Sequence, residues 1–227
     1  MIPRFLTGLL ILGIVAVQPV ALADVEVRTS VGESAVGNLK ADVPLRVQST
    51  PISLALSLEK SAGFLAHCNL GGVFQHQIIA YQEDGSTYSG TNLLIGPTVG
   101  LSLINFDASF LRIEGVYYPY NVMTLSSNTS AAVNNQVYSH STLTTFQGPG
   151  AEEVKVVYMI EKTDGQYNKH ERLRYGLQLT ELQQPIKKAQ IKVASSNPSL
   201  QPISSTDHDV NYSLSLTTIA FIMGFAF

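Results

Sequence analysis

The last nine residues of the chain alternate between large apolar and mostly small side chains, and this period of two constrains the fold most. The large set consists of Ile219, Phe221, Met223, Phe225 and Phe227. Successive side chains of a β-strand point to opposite faces. The segment is therefore predicted to be a strand with one apolar face and one compact face.

Four other segments repeat the alternation, at residues 92–104, 109–118, 153–161 and 171–180. Further strands are predicted near residues 25–35, 45–58, 64–81, 136–146 and 188–194, which makes ten. In 45–58 the phase of the alternation switches at Pro51, and this predicts a bulge or break. Eight strands is the alternative count, because 188–194 is short and 67–77 is irregular. The chain is predicted to be all-β, but alternation alone fits a sandwich as well as a barrel.

The connections between these strands alternate in length. Residues 105–107, 147–150 and 183–185 are predicted short turns, whereas 121–135, 163–169 and 195–209 are predicted longer loops. Outer-membrane barrels join strands of about 9–11 residues by short turns at one end and longer loops at the other. This rhythm favours an antiparallel transmembrane β-barrel of eight to ten strands, ten by count.

The first 23 residues have the three parts of a secretory signal. Arg4 precedes an apolar run at residues 5–17, and Ala21 and Ala23 provide small residues before a cleavage point. Thirteen helical residues extend about 20 Å, which is less than the roughly 30 Å of a bilayer core. We therefore predict a cleaved signal peptide at 1–23 and a barrel at 24–227.

The terminal strand, taken with the signal peptide, resembles the C-terminal signature of bacterial outer-membrane β-barrel proteins. In that family a final Phe follows apolar or aromatic residues at alternate positions, and all five positions match here. The resemblance implies an assembly signal read by the barrel-assembly machinery and formed by Ile219, Phe221, Met223, Phe225 and Phe227. It also implies that the last strand closes on the first, in the outer membrane of a Gram-negative bacterium and in contact with its lipid. The resemblance does not indicate an activity.

In such a barrel the second face of the predicted strands turns towards the lumen. The charged residues on that face are Arg112, Glu114, Lys155, Glu161, Arg172 and Arg174. A barrel of about eight strands is just wide enough for side chains to fill it. Because both signs of charge occur together, the lumen is predicted to be plugged by ion pairs and hydrogen bonds.

Three tyrosines cluster at the end of the strand at 109–118. They are Tyr117, Tyr118 and Tyr120. Amphipathic rings settle at the level of the lipid headgroups. The cluster is therefore predicted to mark a membrane boundary.

Signals for chemistry are weak. Residues 138–141 place Ser beside His140, but neighbours on a strand face opposite ways and no partner acid is identifiable. Residues 206–209 offer two carboxylates and His208, but consecutive ligands rarely converge on one ion. Cys68 is the single cysteine, so no disulfide framework forms, and we expect it to fill space. No catalytic, cofactor or metal site is predicted, and a net charge of −3 gives no basic surface for nucleic acid.

These observations favour a non-enzymatic, monomeric, porin-like barrel that acts structurally or through loops at 121–135 and 195–209. One alternative is a GPI-anchored eukaryotic surface protein, with small residues at 204–206, a polar spacer from 207 and an apolar tail from 214. The alternation of that tail and the absence of a cysteine pair oppose it. A lipid-modifying barrel enzyme and a small channel are further alternatives.

Overall fold

A computed structural model describes residues 24–41, 44–61, 67–83, 86–106, 108–133, 136–163, 172–195 and 203–227. The predicted signal peptide lies outside these ranges, as do residues 164–169 of one predicted loop. The described residues form ten strands: β1 Asp24–Lys40, β2 Pro44–Ser61, β3 His67–Glu83, β4 Ser86–Phe106, β5 Ser109–Tyr118, β6 Tyr120–Val133, β7 Gln136–Gln147, β8 Ala151–Thr163, β9 Arg172–Ser195 and β10 Ile203–Ala226. None of the described segments is a helix long and apolar enough to cross a bilayer.

All ten strands belong to one antiparallel sheet, and that sheet closes on itself. β10 pairs with β9 on one side and with β1 on the other. At the seam, Val25 N donates to Phe227 O over 3.1 Å and Phe227 N donates to Val25 O over 2.9 Å. The prediction of an all-β antiparallel barrel is confirmed.

Where the wall is closed it is eight strands wide, although it contains ten strand segments. Residues 98–106 of β4 pair with β5, and residues 88–95 of the same strand pair with β6. β9 pairs in the same way with β8 and then with β7. β5 and β6 are therefore two parts of one strand line, as are β7 and β8. The counts of eight and ten describe the same wall in different ways.

The strands are tilted against the barrel axis, as closure requires. Following paired residues once around the wall returns to β1 ten residues further along: Asp24, Glu59, Asn69, Gly100, Glu114, Lys155, Thr180, Thr218, Ser34. With eight strands, a rise of about 3.3 Å per residue and a spacing of about 4.8 Å, this stagger corresponds to a tilt of about 40°.

The predicted turn at 147–150 is wrong. β7 and β8 run in the same direction on either side of it, so the segment is a break within one strand line. Gly150 has φ 149°, and a Cβ there would come within 2.6 Å of the Tyr117 hydroxyl oxygen. A glycine is needed because the Tyr117 ring packs against the backbone and its hydroxyl donates to Pro149 O over 3.2 Å.

A second predicted turn is also wrong, as are the described parts of the predicted loops 121–135 and 195–209, of which residues 134–135 and 196–202 lie outside the described residues. Residues 120–133 form β6, and residues 203–209 form the start of β10. Residues 183–185 lie inside β9, which continues without a turn through 188–194. These segments are rich in Ser, Thr, Asn and Gln, and such residues suit a strand whose outer face meets water.

The change of phase at Pro51 is a change of surroundings within β2, and the register shift at this level lies on the neighbouring β1, between Ser34 and Val36. In β2 the outward side chains are Ile52, Leu54, Leu56 and Leu58 on one side of Pro51, and polar residues on the other. The pairing of β2 with β3 runs from Val47 to Ser61 without a shift. The backbone therefore keeps one phase, while the polarity of its two faces is exchanged.

The same exchange occurs along β10. The outward residues from 219 to 227 are apolar, but Ser213, Ser215 and Thr217 follow on the same face. On the inward face, Leu214 and Leu216 replace smaller residues. Nine residues at a tilt of about 40° rise about 23 Å, close to the roughly 25 Å apolar band of outer-membrane barrels. We call the part that contains both chain ends of the barrel the lower half, and the part beyond the exchange the upper half.

Candidate functional site

The lumen of the lower half holds a balanced set of buried charges. Within the described ranges, four acidic and four basic side chains are less than a tenth exposed: Glu26, Glu59, Glu114, Glu153, Arg28, Arg112, Lys155 and Arg174. Buried charges are stable when they are paired and hydrogen-bonded. The equal numbers of the two signs allow each charge to have an opposite charge nearby.

One ion pair crosses the lumen directly. Arg28 lies on β1 and Glu114 on β5, and these strands stand opposite each other in the eight-stranded wall. Arg28 Nη1 donates to Glu114 Oε1 over 2.7 Å, and Nη2 donates to Oε2 over 2.5 Å. A two-pronged guanidinium–carboxylate contact fixes direction as well as distance. The pair therefore ties opposite walls together.

Arg112 joins three carboxylates around this pair. Its Nη1 lies 2.6 Å from Glu26 Oε2 and 3.3 Å from Glu114 Oε1, and its Nη2 lies 3.3 Å from Glu59 Oε1. These partners come from β1, β5 and β2. The guanidinium is fully buried, so these three carboxylates compensate its charge in the absence of water.

Arg174 extends the network towards the lower end of the barrel. It pairs with Glu59, its Nη1 lies 3.3 Å from Glu26 Oε1, and its Nε donates to Glu161 Oε2 over 2.9 Å. The guanidinium carbons of Arg112 and Arg174 lie 5.0 and 4.9 Å from the centroid of the Phe110 ring. Such cation–π contacts stabilise a desolvated guanidinium.

A second cluster surrounds Tyr118. Its hydroxyl donates to Glu153 Oε2 over 2.5 Å and lies 3.1 Å from Gln75 Oε1, while Lys155 Nζ lies 3.1 Å from Glu153 Oε2. Tyr118 is fully buried. Its predicted place at a membrane boundary is therefore wrong, because even-numbered residues of β5 face the lumen.

The other two tyrosines of the predicted boundary face outwards. Tyr117 and Tyr120 flank Pro119 where β5 gives way to β6. Tyr120 is half exposed, and Tyr117 covers Gly150. Both lie at the level where the polarity of the wall is exchanged, so the boundary role stays a prediction for these two.

The upper lumen is apolar, with one layer of amides inside it. Asn92 Nδ2 donates to Gln77 Oε1 over 2.9 Å and to Gln184 Oε1 over 2.7 Å, and Gln184 Nε2 donates to Asn121 Oδ1 over 3.3 Å. Around this layer pack Leu39, Val47, Ile79, Leu94, Met123, Leu125, Phe146, Leu182, Ile186, Leu214 and Leu216. The upper half thus has a core like that of a water-soluble barrel.

All six predicted lumen charges face the lumen. Arg112, Glu114, Lys155 and Arg174 are buried. The side chains of Glu161 and Arg172 are 22% and 23% exposed near the lower end, where Arg172 also pairs with Asp24.

Four buried charges of this network were missing from the sequence prediction. They are Glu26, Arg28, Glu59 and Glu153. Each alternates with outward apolar residues in its strand, as Glu26 and Arg28 do with Val25 and Val27. The same alternation would therefore have placed them in the lumen.

The five predicted assembly-signal residues form part of an exposed apolar belt. Ile219, Phe221, Met223, Phe225 and Phe227 are about half exposed on the outer face of β10. The belt continues around the lower half through Val25, Val31, Ile52, Leu54, Leu56, Leu58, Leu70, Phe74, Ile78, Ile95, Val154, Val156, Tyr158, Leu177 and Leu179. A continuous apolar surface of this size marks a membrane or protein contact.

The weak candidates for chemistry remain separate. His140 lies half-buried on one face of β7, while Ser139 and Ser141 are exposed on the other. Asp207, His208 and Asp209 are exposed on β10. Over the described ranges, no group of three or more His, Cys, Asp or Glu side chains could hold a metal ion.

No family model matches the sequence, and no curated protein matches it. Among solved structures, the chain is similar to the outer membrane protease OmpT from Escherichia coli, with a TM-score of 0.37, 7% identity and coverage of 92% of this chain and 99% of that chain. It is similar to the outer membrane protein OprG from Pseudomonas aeruginosa, with a TM-score of 0.34, 8% identity and coverage of 88% and 95%. It is also similar to the translocator domain of the autotransporter NalP from Neisseria meningitidis, with a TM-score of 0.35, 9% identity and coverage of 97% and 93%.

Proposed function

We propose that the chain is an integral protein of a Gram-negative outer membrane and that its lower half spans the bilayer. The observation that supports this most is the joint exchange of polarity on the two faces of the wall. Below the exchange the outside is apolar and the lumen is charged, and above it both are reversed. A closed barrel leaves no unpaired strand edge in the lipid, so the backbone is satisfied throughout the belt.

We further propose that the lumen does not conduct ions. The Arg28–Glu114 pair joins opposite walls, and Arg112 and Arg174 fill the space beside it. An ion that passes through has to separate these pairs in a water-poor interior, where removal of one partner from a buried pair costs about 3–5 kcal/mol. The role is then structural or an interaction at the outer end, without catalysis.

The GPI-anchor alternative conflicts with the pairing of β10. That mode of anchoring removes the apolar tail, which here includes residues 214–227. This segment is hydrogen-bonded to both β9 and β1, so its removal opens the barrel.

Two measurements test the proposal. Cell fractionation with heat-modified gel mobility tests location and closure: we expect an outer-membrane fraction that migrates differently before and after boiling.

Planar-bilayer recording tests the lumen: the native protein should give little current, whereas R28A/E114A should give measurably more. T124A, an outward substitution in the upper half, is the matched control and should behave as native. A large stable current through the native protein would contradict the plugged lumen, and a protein found only in soluble fractions would contradict the location.

A further inference from the structure

Four strands of the wall extend well beyond the other four. β1 pairs with β10 only as far as Lys40 opposite Ser213, and β4 pairs with β6 only as far as Tyr88 opposite Ser127. β10 continues for ten residues beyond Ser213, to Ile203, which at the tilt of the wall is about 25 Å. The upper parts of β6, β7, β9 and β10 thus form an open four-stranded sheet, which we call the blade.

The blade has a strand edge at residues 207–211 of β10. On one side this segment pairs with β9, with Asp207 opposite Gln190 and Asp209 opposite Lys188. On its other side, within the described residues, the last strand pair is Lys40 with Ser213. The backbone N–H and C=O groups on such a side are a template for another extended chain.

The side chains of this edge determine which chain fits. Asp207 and Asp209 are exposed on the outer face, and Gln190 Nε2 donates to Asp207 Oδ1 over 2.9 Å. Like charges placed opposite each other destabilise a strand pair, and opposite charges stabilise it. Two copies of this edge would bring the carboxylates together, so the charges disfavour self-pairing. A strand with Lys or Arg at alternate positions would meet a carboxylate at each of them.

The residues on the inner face of the edge determine which side chains suit the other positions of a strand that pairs with it. His208 lies between the two aspartates and is exposed, whereas Val210 follows Asp209, is half-buried and packs against the apolar core of the upper half. The pairing of β10 with β9 shifts register between Asp209 and Tyr212, so the edge is irregular at this point. A small apolar residue next to the basic residue that meets Asp209 would lie beside Val210 and extend that packing, since side chains of a strand alternate between faces.

We propose that residues 207–211 are a docking edge for an extended peptide segment of another protein, with basic side chains alternating with small apolar ones. The segment adds to the blade as a fifth strand next to β10. This inference goes beyond the proposed function and does not depend on it, because it needs only the folded barrel.

The test uses full-length protein refolded in a zwitterionic detergent. The probe is a blocked, fluorescent decapeptide of alternating Lys and Val, measured by anisotropy. We expect saturable binding that falls at least tenfold when alternate peptide nitrogens are methylated, because methylation removes the backbone donors. Binding should fall to a similar extent when Glu replaces Lys in the peptide, and D207K/D209K should reverse the preference between the two peptides.

Controls separate the edge from general charge effects. S130K, on the opposite edge strand β6, should leave binding unchanged, and heat-modified mobility checks that each variant is folded. Equal binding of the methylated peptide, or no effect of the charge reversal, would overturn the proposal. So would the absence of binding by either peptide, or a native dimer that D207K/D209K disperses, since the occupant would then be a second copy.

Discussion

The two halves of this barrel use the same wall for opposite purposes. In the lower half, Leu177 and Phe221 face outwards while Arg112 and Glu114 are buried inside. In the upper half, polar residues face outwards and Met123, Leu182 and Leu216 form the core. Along β2 and β10 the residues keep the same sides from one half to the other, so in these strands the difference lies in the surroundings. β1 changes phase at the register shift between Ser34 and Val36, and the line of β5 and β6 changes phase at Pro119.

This contrast shows what stabilises each half. The upper half gains stability by burying apolar area inside, at about 25 cal/mol per Å². The lower half places its apolar residues outside, where lipid covers them if the proposed function holds, while its interior depends on matched charges. In the lower half, removal of a charge from the lumen and addition of a charge to the outer face should therefore both lower the free energy of unfolding. On the outer face of the upper half, an added charge should have little effect.

The largest effect is expected inside the lower half. Arg28→Leu leaves Glu114 without its two-pronged partner in a buried position, and we expect a loss of about 3–5 kcal/mol of unfolding free energy. R28L/E114L removes both charges, so it should lose less than the single variant, because Arg112 keeps Glu26 and Glu59. Denaturant unfolding of refolded protein in detergent measures both. A double variant less stable than the single one would show that the pair is not the unit of stability.

A somewhat smaller effect is expected on the outside. Leu177→Arg places a charge on the exposed apolar belt, and if the belt faces lipid as proposed, the cost near the bilayer midplane is about 2–4 kcal/mol. Ser213→Arg places the same charge on the outer face of the upper half, where we expect a change within about 0.5 kcal/mol. Unfolding in liposomes measures the difference between the two variants. Equal losses would contradict the assignment of the two halves to lipid and water.

Much of the fold was predictable because alternation survives in both halves. The strands near 109–118 and 153–161 were predicted within a few residues of their observed positions, and the start of β9 was predicted within one residue. The errors came from the upper half, where polar residues on a strand resemble a loop. Residues 120–133 have an outward polar face, but Met123 and Leu125 alternate inwards and carry the signal of a strand. The change of phase at Pro51 was visible in the sequence as well. Its cause within β2 is that the apolar residues move from the outer face to the inner face of the strand.

The contents of the lumen were predictable, but its pairings were not. Alternation assigns Arg112 and Arg174 to the inner face. It cannot show that Arg28 meets Glu114, because that contact depends on which strands stand opposite each other after closure. The closure in turn depends on a stagger of ten residues summed over eight strand pairs. The break at Pro149 was hidden for a related reason, since a Gly-Pro-Gly sequence is equally typical of a turn.

The smallest effect on stability is expected at the seam of the lower half. Deletion of Phe227 removes its two backbone hydrogen bonds to Val25, each worth about 0.5–1.5 kcal/mol, and a ring that is already half exposed. If Phe227 belongs to an assembly signal, it acts on the unfolded chain before the barrel closes. The deletion should then lower outer-membrane abundance strongly, while the unfolding midpoint of refolded protein moves little.

Leu177→Arg should show the reverse balance, with a clear loss of stability and a smaller loss of outer-membrane abundance. Both quantities are measured for each variant in a Gram-negative host, and normal abundance of the deletion variant would show that the terminal alternation serves the lipid belt alone.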